Sequence, residues 1–281
     1  MTASATNTRR ALALAALLAS AACAPALRAP RALPATPSAI PATPESVDAL
    51  LARAQARFAA RRDAGAAAEA QELFLAAARA DTARIEGPAG VVRVAAWRIE
   101  HTDDAAERAP LLALELDAAQ LCGQRARALP GEEAGAEASA ECDYWLAIAL
   151  GQQAREHPAA ALDALGRMVE ALRRAAVAQP ALEAGGPDRV LALVLLRAPG
   201  WPAGPGDEAE GLAAARRAVA IAPAYPPNPL TLAEALARNG AAAESRAAAT
   251  TARALALASP DPDAADWVAE ADALLRSGND R

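Results

Sequence analysis

Apolar residues recur every three or four positions along most of the chain beyond the proline-rich N-terminal part. The first such stretch places Val47, Leu50, Leu51, Ala54 and Phe58 on one face, which is the spacing of an amphipathic helix. Glycine, proline and aspartate interrupt the pattern at short intervals and mark turns. The pattern predicts eleven helices, over 45–62, 66–80, 88–99, 106–129, 137–156, 159–179, 187–196, 208–221, 230–238, 241–258 and 263–276.

In the second half of the chain the predicted helices form pairs with a period of roughly 35 to 40 residues, as helical repeat proteins do. One copy has small and apolar residues on its first helix and turn, namely Leu232, Ala233, Leu236 and Gly240. The previous copy has Gly211, Ala215 and Ala218 on its second helix, which Pro223 closes. Small residues let helices approach closely, and proline ends a helix. These positions resemble the tetratricopeptide repeat, so we expect an all-α, tetratricopeptide-like helical-hairpin solenoid with degenerate repeats. A plain helical bundle is the alternative, and the repeat spacing favours the solenoid.

The composition supports a helical fold and argues against one class of function. Hydrophobic residues make up 54% of the 281 residues, but aromatic residues only 3%. The abundant alanine and leucine favour helices over strands. All 28 basic residues are arginine, and the formal net charge is −6. Because no block of positive charge occurs, nucleic-acid binding is disfavoured.

The N-terminus carries the pattern of an export signal. Arg9 and Arg10 precede an apolar stretch over 11–18 and a run of small residues. The apolar stretch is too short to cross a bilayer, so we expect a signal peptide over 1–22. The two arginines also resemble a twin-arginine signal, but the remainder of that motif is incomplete, which favours Sec export.

The small residues end in Ser20-Ala21-Ala22-Cys23, which resembles the bacterial lipobox, although Ser20 stands where leucine is usual. The resemblance implies that Cys23 is diacylated and becomes the new N-terminus. Cleavage at an Ala-x-Ala site without lipidation is the alternative. Since Ala24 is not the aspartate that retains lipoproteins in the inner membrane, we expect an anchor on the periplasmic side of the outer membrane. Without the lipid, the protein would be soluble in the periplasm.

A proline-rich segment follows the cysteine. Its prolines are Pro25, Pro30, Pro34, Pro37, Pro41 and Pro44. Proline fixes φ and lacks an amide hydrogen, so residues 23–44 are predicted to form the lipidated cysteine and an extended, semi-rigid tether. The helical repeat domain then occupies 45–281.

A more specific resemblance covers the chain from Tyr144 onward. It is carried by Tyr144-Trp145-Leu146-Ala147, Gly185-Gly186-Pro187-Asp188-Arg189, Pro199-Gly200-Trp201-Pro202 with Gly206-Asp207, and Ala222-Pro223-x-Tyr225-x-x-Asn228-x-Leu230-x-Leu232-Ala233-Glu234. Together with the lipoprotein-like N-terminus, these stretches resemble the periplasmic T-component (TatT-like) lipoproteins of TRAP transporters. The resemblance implies an α-helical solenoid that docks a periplasmic solute-binding protein, and it implies no catalytic site.

The predicted function is therefore that of a non-catalytic periplasmic scaffold lipoprotein that binds a partner protein. The resemblance implies that this partner is a TRAP-type solute-binding protein, or that the scaffold binds its ligand. A structural assembly lipoprotein of envelope or secretion machinery is the alternative. Adjacency to TRAP transporter genes would separate the two.

The sequence lacks motifs for catalysis, phosphate binding or metal binding. It has no Gly-rich phosphate loop and no Gly-x-Ser-x-Gly elbow. Its two histidines, His101 and His157, do not lie at metal-ligand spacing from a cysteine. Glu100-His101 with Asp103-Asp104 is a weak cation-site candidate, and a solvated helix end is the simpler interpretation. We expect no enzyme activity, no cofactor and no metal.

Cys122 and Cys142 lie at similar distances from a predicted turn over 130–135. Residues equidistant from the turn of a helical hairpin face each other, so a disulfide fits the geometry, and an oxidising periplasm permits one. Two buried free thiols are the alternative.

A binding groove is predicted where the rare aromatic residues and the motifs of the resemblance meet. Its candidate residues are Tyr144, Trp145, Asp188, Arg189, Trp201, Tyr225 and Asn228. Aromatic rings supply much of the energy of recognition. Trp145 and Trp97 are also suited to filling gaps between alanine-rich helices, which we favour for Trp145. Glycine and proline before Asp188 are explained by a helix cap alone.

Overall fold

The computed structural model describes residues 31–34, 46–156 and 158–277. Within these residues it contains eleven α-helices and no strand. The helices are α1 (Val47–Ala59), α2 (Ala66–Ala80), α3 (Glu86–Glu100), α4 (Ala105–Ala128), α5 (Glu132–Glu156), α6 (Pro158–Ala178), α7 (Gly186–Arg197), α8 (Glu208–Ile221), α9 (Pro227–Arg238), α10 (Ala242–Leu257) and α11 (Ala264–Ser277). In the part that is described, no helix combines the length and the apolar character that a membrane span requires.

The export signal, Cys23 and His157 lie outside the described residues, as does most of the tether.

Local capping explains where several helices begin. The side chains of Ser46, Asp104 and Asp207 accept hydrogen bonds from backbone amides in the first turns of α1, α4 and α8, which satisfies donors that no earlier turn can bond. Gly185 precedes α7 with φ of 82°, a conformation that L side chains rarely adopt. A Cβ at Gly185 would also lie 3.1 Å from the carbonyl oxygen of Ala218.

The prediction of eleven helices is confirmed, but two of them begin three or more residues earlier than predicted. α5 begins at Glu132, within the predicted turn, because acidic residues in a first helical turn interact favourably with the helix dipole. α9 begins at Pro227 rather than Leu230, since proline is tolerated in the first turn, where its missing donor has no partner in any case.

The helices form two layers. Each helix packs against the next along the chain, and each odd-numbered helix also packs against the next odd-numbered one, from α1 to α11. No two even-numbered helices of the described chain pack together in this way. The odd helices therefore form a continuous inner layer and the even helices an outer layer. This nearest-neighbour stacking is that of a solenoid, so the predicted fold class is confirmed over a plain bundle.

A single apolar core runs through most of the solenoid, from Leu50 in α1 to Ala235 in α9. It is tight at the α2–α3 contact, where a Cβ on Gly90 would lie 2.2 Å from the Phe74 ring. A smaller cluster of Leu230, Ala252 and Ala271 joins the last three helices.

A short piece of the predicted tether lies on the outer layer. The backbone amide and side chain of Arg31 donate to the carboxylate of Asp117 at 3.2 and 3.1 Å. Arg79 donates to the carbonyl oxygen of Pro34, and Leu33 packs against the core. Residues 31–34, which we call the strap, thus contact α2 and α4.

Candidate functional site

The inner layer lines an open cavity of about 1360 Å³. Every inner helix from α3 to α11 contributes to its wall, for example through Trp97, Gln152, Leu193, Leu230 and Trp267. Because one helix of each successive pair faces the cavity, its lining changes chemically from repeat to repeat. Such a surface suits contacts along an extended ligand.

Ionic contacts join the two ends of the solenoid at the rim of the cavity. We call this group of side chains the clasp; it consists of Arg61, Arg62, Trp97, His101, Asp261, Asp263 and Asp266. The two arginines lie in the turn between α1 and α2, whereas the aspartates lie before and within α11. Residues about 200 positions apart are therefore in contact.

Asp263 is the centre of the clasp. It accepts hydrogen bonds from Arg61 Nε at 2.9 Å, Arg62 Nε at 2.9 Å and Trp97 Nε1 at 3.1 Å. Burial of Asp263 opposes its ionisation, but the hydrogen bonds from Arg61, Trp97 and Arg62 and the charge of Arg61 outweigh it, so the pKa of Asp263 is lowered. Arg61 and Arg62 also pair with Asp261 and Asp266 respectively.

The aromatic part of the clasp lies at the end of α3. The Trp97 and His101 rings stack with centroids 4.1 Å apart, and the Arg62 guanidinium lies 5.6 Å from the Trp97 ring centroid. His101 also contacts Asp266 at 3.2 Å. The ligand atoms of His101, Asp263 and Asp266 all lie within 4.8 Å of one another. However, arginine and indole donors hold both aspartates, so a metal ion would have to displace them.

The predicted cation candidate around Glu100-His101 has a different arrangement in the structure. Asp104 accepts a hydrogen bond from the amide of Ala106 at 2.8 Å and caps α4. His101 belongs to the clasp, whereas Glu100 faces the cavity. The four residues therefore do not converge on one point.

Four of the predicted groove residues lie together. Tyr144 and Arg189 line the cavity, and the Arg189 guanidinium lies 5.0 Å from the Tyr225 ring centroid. Arg189 Nη1 donates to Asn228 Oδ1 at 2.9 Å and to the carbonyl oxygens of two residues before α7. Burial raises the pKa of both tyrosines, and Arg189 opposes the shift. Arg189 is thus held by neutral acceptors, and none of these hydrogen bonds goes to a carboxylate.

The other three predicted groove residues lie elsewhere. Trp145 is buried in the core, as its gap-filling interpretation predicts. Asp188 pairs with Arg217 at 2.7 Å in a separate hollow of about 580 Å³, because successive helical residues point about 100° apart. Trp201 lies in the α7–α8 loop, is 90% exposed and does not line the cavity. The sequence around Asp188 and Trp201 does not indicate which way either side chain points.

Cys122 and Cys142 are joined by a disulfide between α4 and α5, with their Cα atoms 5.4 Å apart. The bond lies inside the core and not at the cavity. It fixes the contact between two helices of 24 and 25 residues.

Sequence reasoning missed two polar side chains, one that lines the cavity and one behind its wall. Gln152 is only 3% exposed; its Nε2 donates to Ala96 O and Glu100 Oε1, while its Oε1 has no hydrogen-bond partner among the described residues. Glu115 is fully buried, and neither of its carboxylate oxygens has such a partner. Burial raises the pKa of Glu115, Glu100 adds to the shift, and Arg155 opposes it. Only the folding of α3, α4 and α5 brings these residues together.

Comparison with known proteins supports the fold. The chain is similar to the crystal structure of a thermophilic TPR protein from Thermus thermophilus, with 19% sequence identity and a TM-score of 0.54. The match covers 80% of this chain and 98% of that chain. No family model and no curated protein matches the chain. The tetratricopeptide-like fold is thereby confirmed, and the narrower resemblance to T-component lipoproteins stays a prediction.

Proposed function

We propose that this protein is a non-catalytic scaffold that binds a segment of a partner protein in its central cavity. The observation that carries the proposal is the wall of the cavity, to which five successive inner helices contribute. A side-chain lining that varies from repeat to repeat is how helical solenoids recognise extended ligands. The clasp limits the rim on one side, so the ligand has a defined place to lie.

The partner that we propose is a TRAP-type periplasmic solute-binding protein, or the ligand that such a protein carries. Support comes from the motifs shared with T-component lipoproteins. Tyr144, Arg189, Tyr225 and Asn228 belong to those motifs and lie at or directly behind the cavity wall. The most specific part of the sequence resemblance therefore coincides with the proposed binding surface.

We also propose that a lipid on Cys23 holds the solenoid close to the periplasmic face of the outer membrane. Residues 24–30 separate Cys23 from the strap, and an extended chain of this length spans about 25 to 29 Å. Since the strap contacts the outer helices α2 and α4, the lipid keeps the outer layer nearer to the membrane. The cavity then faces the periplasm, where a soluble partner has access to it.

A matched pair of arginine substitutions tests the binding surface. Ala273 is exposed on α11 and lines the cavity, whereas Ala247 is exposed on the outer helix α10. The full chain, expressed with its own signal, would be purified from solubilised envelopes, and co-purifying proteins would be identified by mass spectrometry. We expect a solute-binding protein to be retained by the wild type and by Ala247→Arg, and to be lost from Ala273→Arg.

Two results would overturn the proposal. If no solute-binding protein is retained by the wild type, the partner is wrong, and recovery of envelope-assembly proteins would support the structural alternative. Equal retention by both variants would place the binding surface outside the cavity. The mass of the N-terminal peptide tests the anchor separately, because diacylation of Cys23 adds two acyl chains.

A further inference from the structure

The charged groups that line the cavity differ in whether they already have a hydrogen-bond or ion-pair partner. Seven carboxylate and four guanidinium groups line it. Arg108, Arg155 and Arg197 are each paired with a carboxylate of the lining, at 3.1, 3.4 and 2.7 Å, and the clasp arginines hold Asp263 and Asp266. The fourth guanidinium, on Arg189, donates to carbonyl and amide oxygens. Every cation of the wall therefore already has acceptors.

Acceptors without donors remain on two walls of the cavity. Glu270, on α11, has no ion pair within the part of the chain that the structure describes. Gln152, on α5, is buried and lines the cavity, and its Oε1 lacks a donor. A buried acceptor without a donor costs free energy that a bound donor recovers. The cavity thus contains hydrogen-bond acceptors that a ligand with N–H groups would satisfy.

The carboxylates near Glu270 also create a negative potential. Burial raises the pKa of Glu270, Arg197 opposes the shift, and the charges of Glu100, Asp266 and Glu234 raise it further. These groups come from α3, α9 and α11, so their charges converge across the cavity. Such convergence attracts a cation and repels an anion.

Aromatic rings form another part of the cavity wall. Trp267 lines the cavity beside Tyr225, with ring centroids 5.6 Å apart and planes at 73°. Tyrosine and tryptophan rings attract guanidinium and ammonium groups. The chain itself uses this contact twice near the cavity, at Arg62 over Trp97 and at Arg189 over Tyr225.

We propose that the cavity binds an organic cation, the guanidinium or ammonium group of a basic side chain in the bound segment, between Glu270 and Gln152. Glu270 supplies the charge, Gln152 Oε1 accepts a hydrogen bond, and the aromatic wall covers the hydrophobic part. The proposal rests on the cavity being the binding surface, and it names the chemistry of the occupant. It predicts that the bound segment is basic, although the nearby Arg189 alone would suggest an acidic one.

The probe is agmatine, which carries both a guanidinium and an ammonium group, and glutarate is the matched anion. Binding to the full mature chain would be followed by tryptophan fluorescence and calorimetry. The variants are Glu270→Gln and, as a control, Glu244→Gln on the exposed first turn of α10. We expect saturable agmatine binding, weakened roughly tenfold or more by Glu270→Gln because a charge-assisted hydrogen bond is lost. Glu244→Gln should bind as the wild type does, and glutarate should not bind.

The proposal fails if agmatine does not bind saturably, if both variants bind it equally, or if glutarate binds more tightly. These outcomes are separate from those of the partner experiment. Should agmatine fail while Ala273→Arg still removes the partner, the cavity remains the binding surface, and only its preference for a cation is wrong.

Discussion

The outer helices α2 and α8 are held at their C-terminal ends by different side chains. The last carbonyl groups of a helix have no partner in the helix itself. Near the end of α2, Arg125 donates to three carbonyl oxygens, those of Ala78, Asp81 and Arg84, at 2.6, 3.1 and 2.8 Å. Near the end of α8, Asn228 Nδ2 donates to the oxygens of Ala184, Ala218 and Ala222, each at 2.9 Å.

The choice of side chain follows from the packing around it. The buried face of α2 includes Leu73, Phe74 and Leu75, whereas the buried residues of α8 are glycine and alanine. Arg125 lies on α4, two helices further along the chain than α2, so a long side chain is needed to reach the carbonyls at and beyond the end of α2. Helices that pack through alanine approach closely, and a short asparagine suffices. A neutral side chain also avoids a second cation beside Arg189, which donates to Asn228.

The largest effect is expected from Arg125→Met, which keeps the length of the side chain and removes its donors. Three carbonyl groups lose their partner, and each buried unsatisfied group costs about 1–3 kcal/mol, so we expect a loss of about 4 kcal/mol of unfolding free energy. Urea unfolding measures the loss. Hydrogen exchange should accelerate first at the end of α2; uniform acceleration along the chain would contradict a local capping role.

The disulfide is a second difference between the part of the solenoid around α2 and the part around α8. It links α4 and α5, and the described residues of α7 to α11 contain no counterpart. Replacing Cys122 and Cys142 by alanine opens a loop with a sequence separation of 20 residues. We expect a loss of about 3 kcal/mol, mainly from the greater freedom of the unfolded chain. Urea unfolding of the oxidised wild type and the double variant tests this. Two free thiols in the mature protein by non-reducing mass spectrometry would remove the premise.

Asn228→Ala should have a smaller effect than Arg125→Met, about 3 kcal/mol. The substitution removes one donor from each of three carbonyl oxygens, but each oxygen keeps a second donor, from the amide of Ala222, the amide of Tyr225 or the side chain of Arg189. Neighbouring alanines also make the space easier to close. Arg189 keeps its two carbonyl partners. Urea unfolding compares the two variants directly, and an Asn228→Ala effect larger than that of Arg125→Met would invalidate the packing argument.

The same contrast explains what could be predicted from the sequence. Periodicity identified all eleven helices, and alanine at regular spacing indicated the repeat in the region of α8 to α10. The stacking of successive inner helices around a cavity follows from that repeat. The sequence does not indicate the capping role of Arg125, because its partners lie more than 40 positions earlier in the chain. Asn228 was selected as a groove residue, yet it lies fully buried behind the wall and orients Arg189.

The clasp was not predicted, for the same physical reason. Arg61 and Arg62 stand at the end of the helix predicted over 45–62, and the aspartates before α11 lie about 200 residues away. Their contact requires the solenoid to curve back on itself, and this curvature is the sum of small rotations between many helix pairs. No local pattern encodes such a sum.

The smallest effect is expected at the clasp, which joins the two regions without belonging to the core of either. Asp263→Asn keeps an acceptor for Trp97 and removes the charge that faces Arg61 and Arg62. Arg61 keeps its pair with Asp261 and Arg62 keeps its pair with Asp266, so neither arginine is left without a carboxylate, and we expect a loss of about 1 kcal/mol at pH 6. Both regions should keep their hydrogen-exchange protection, because their cores are untouched.

Acid should abolish the difference between Asp263→Asn and the wild type. The pKa of Asp263 is lower in the folded protein than the value of about 3.9 in an unfolded chain, so its contribution is present above pH 4 and is lost as the pH falls through the folded pKa. Urea unfolding of both proteins at pH 6 and at successively lower pH measures this. The two unfolding free energies should converge at the acidic end, because protonation removes from the wild type the same charge that the substitution removes. A gap that stays constant with pH would mean that Asp263 contributes through packing or neutral hydrogen bonds, and that the ends of the solenoid are not held together by charge.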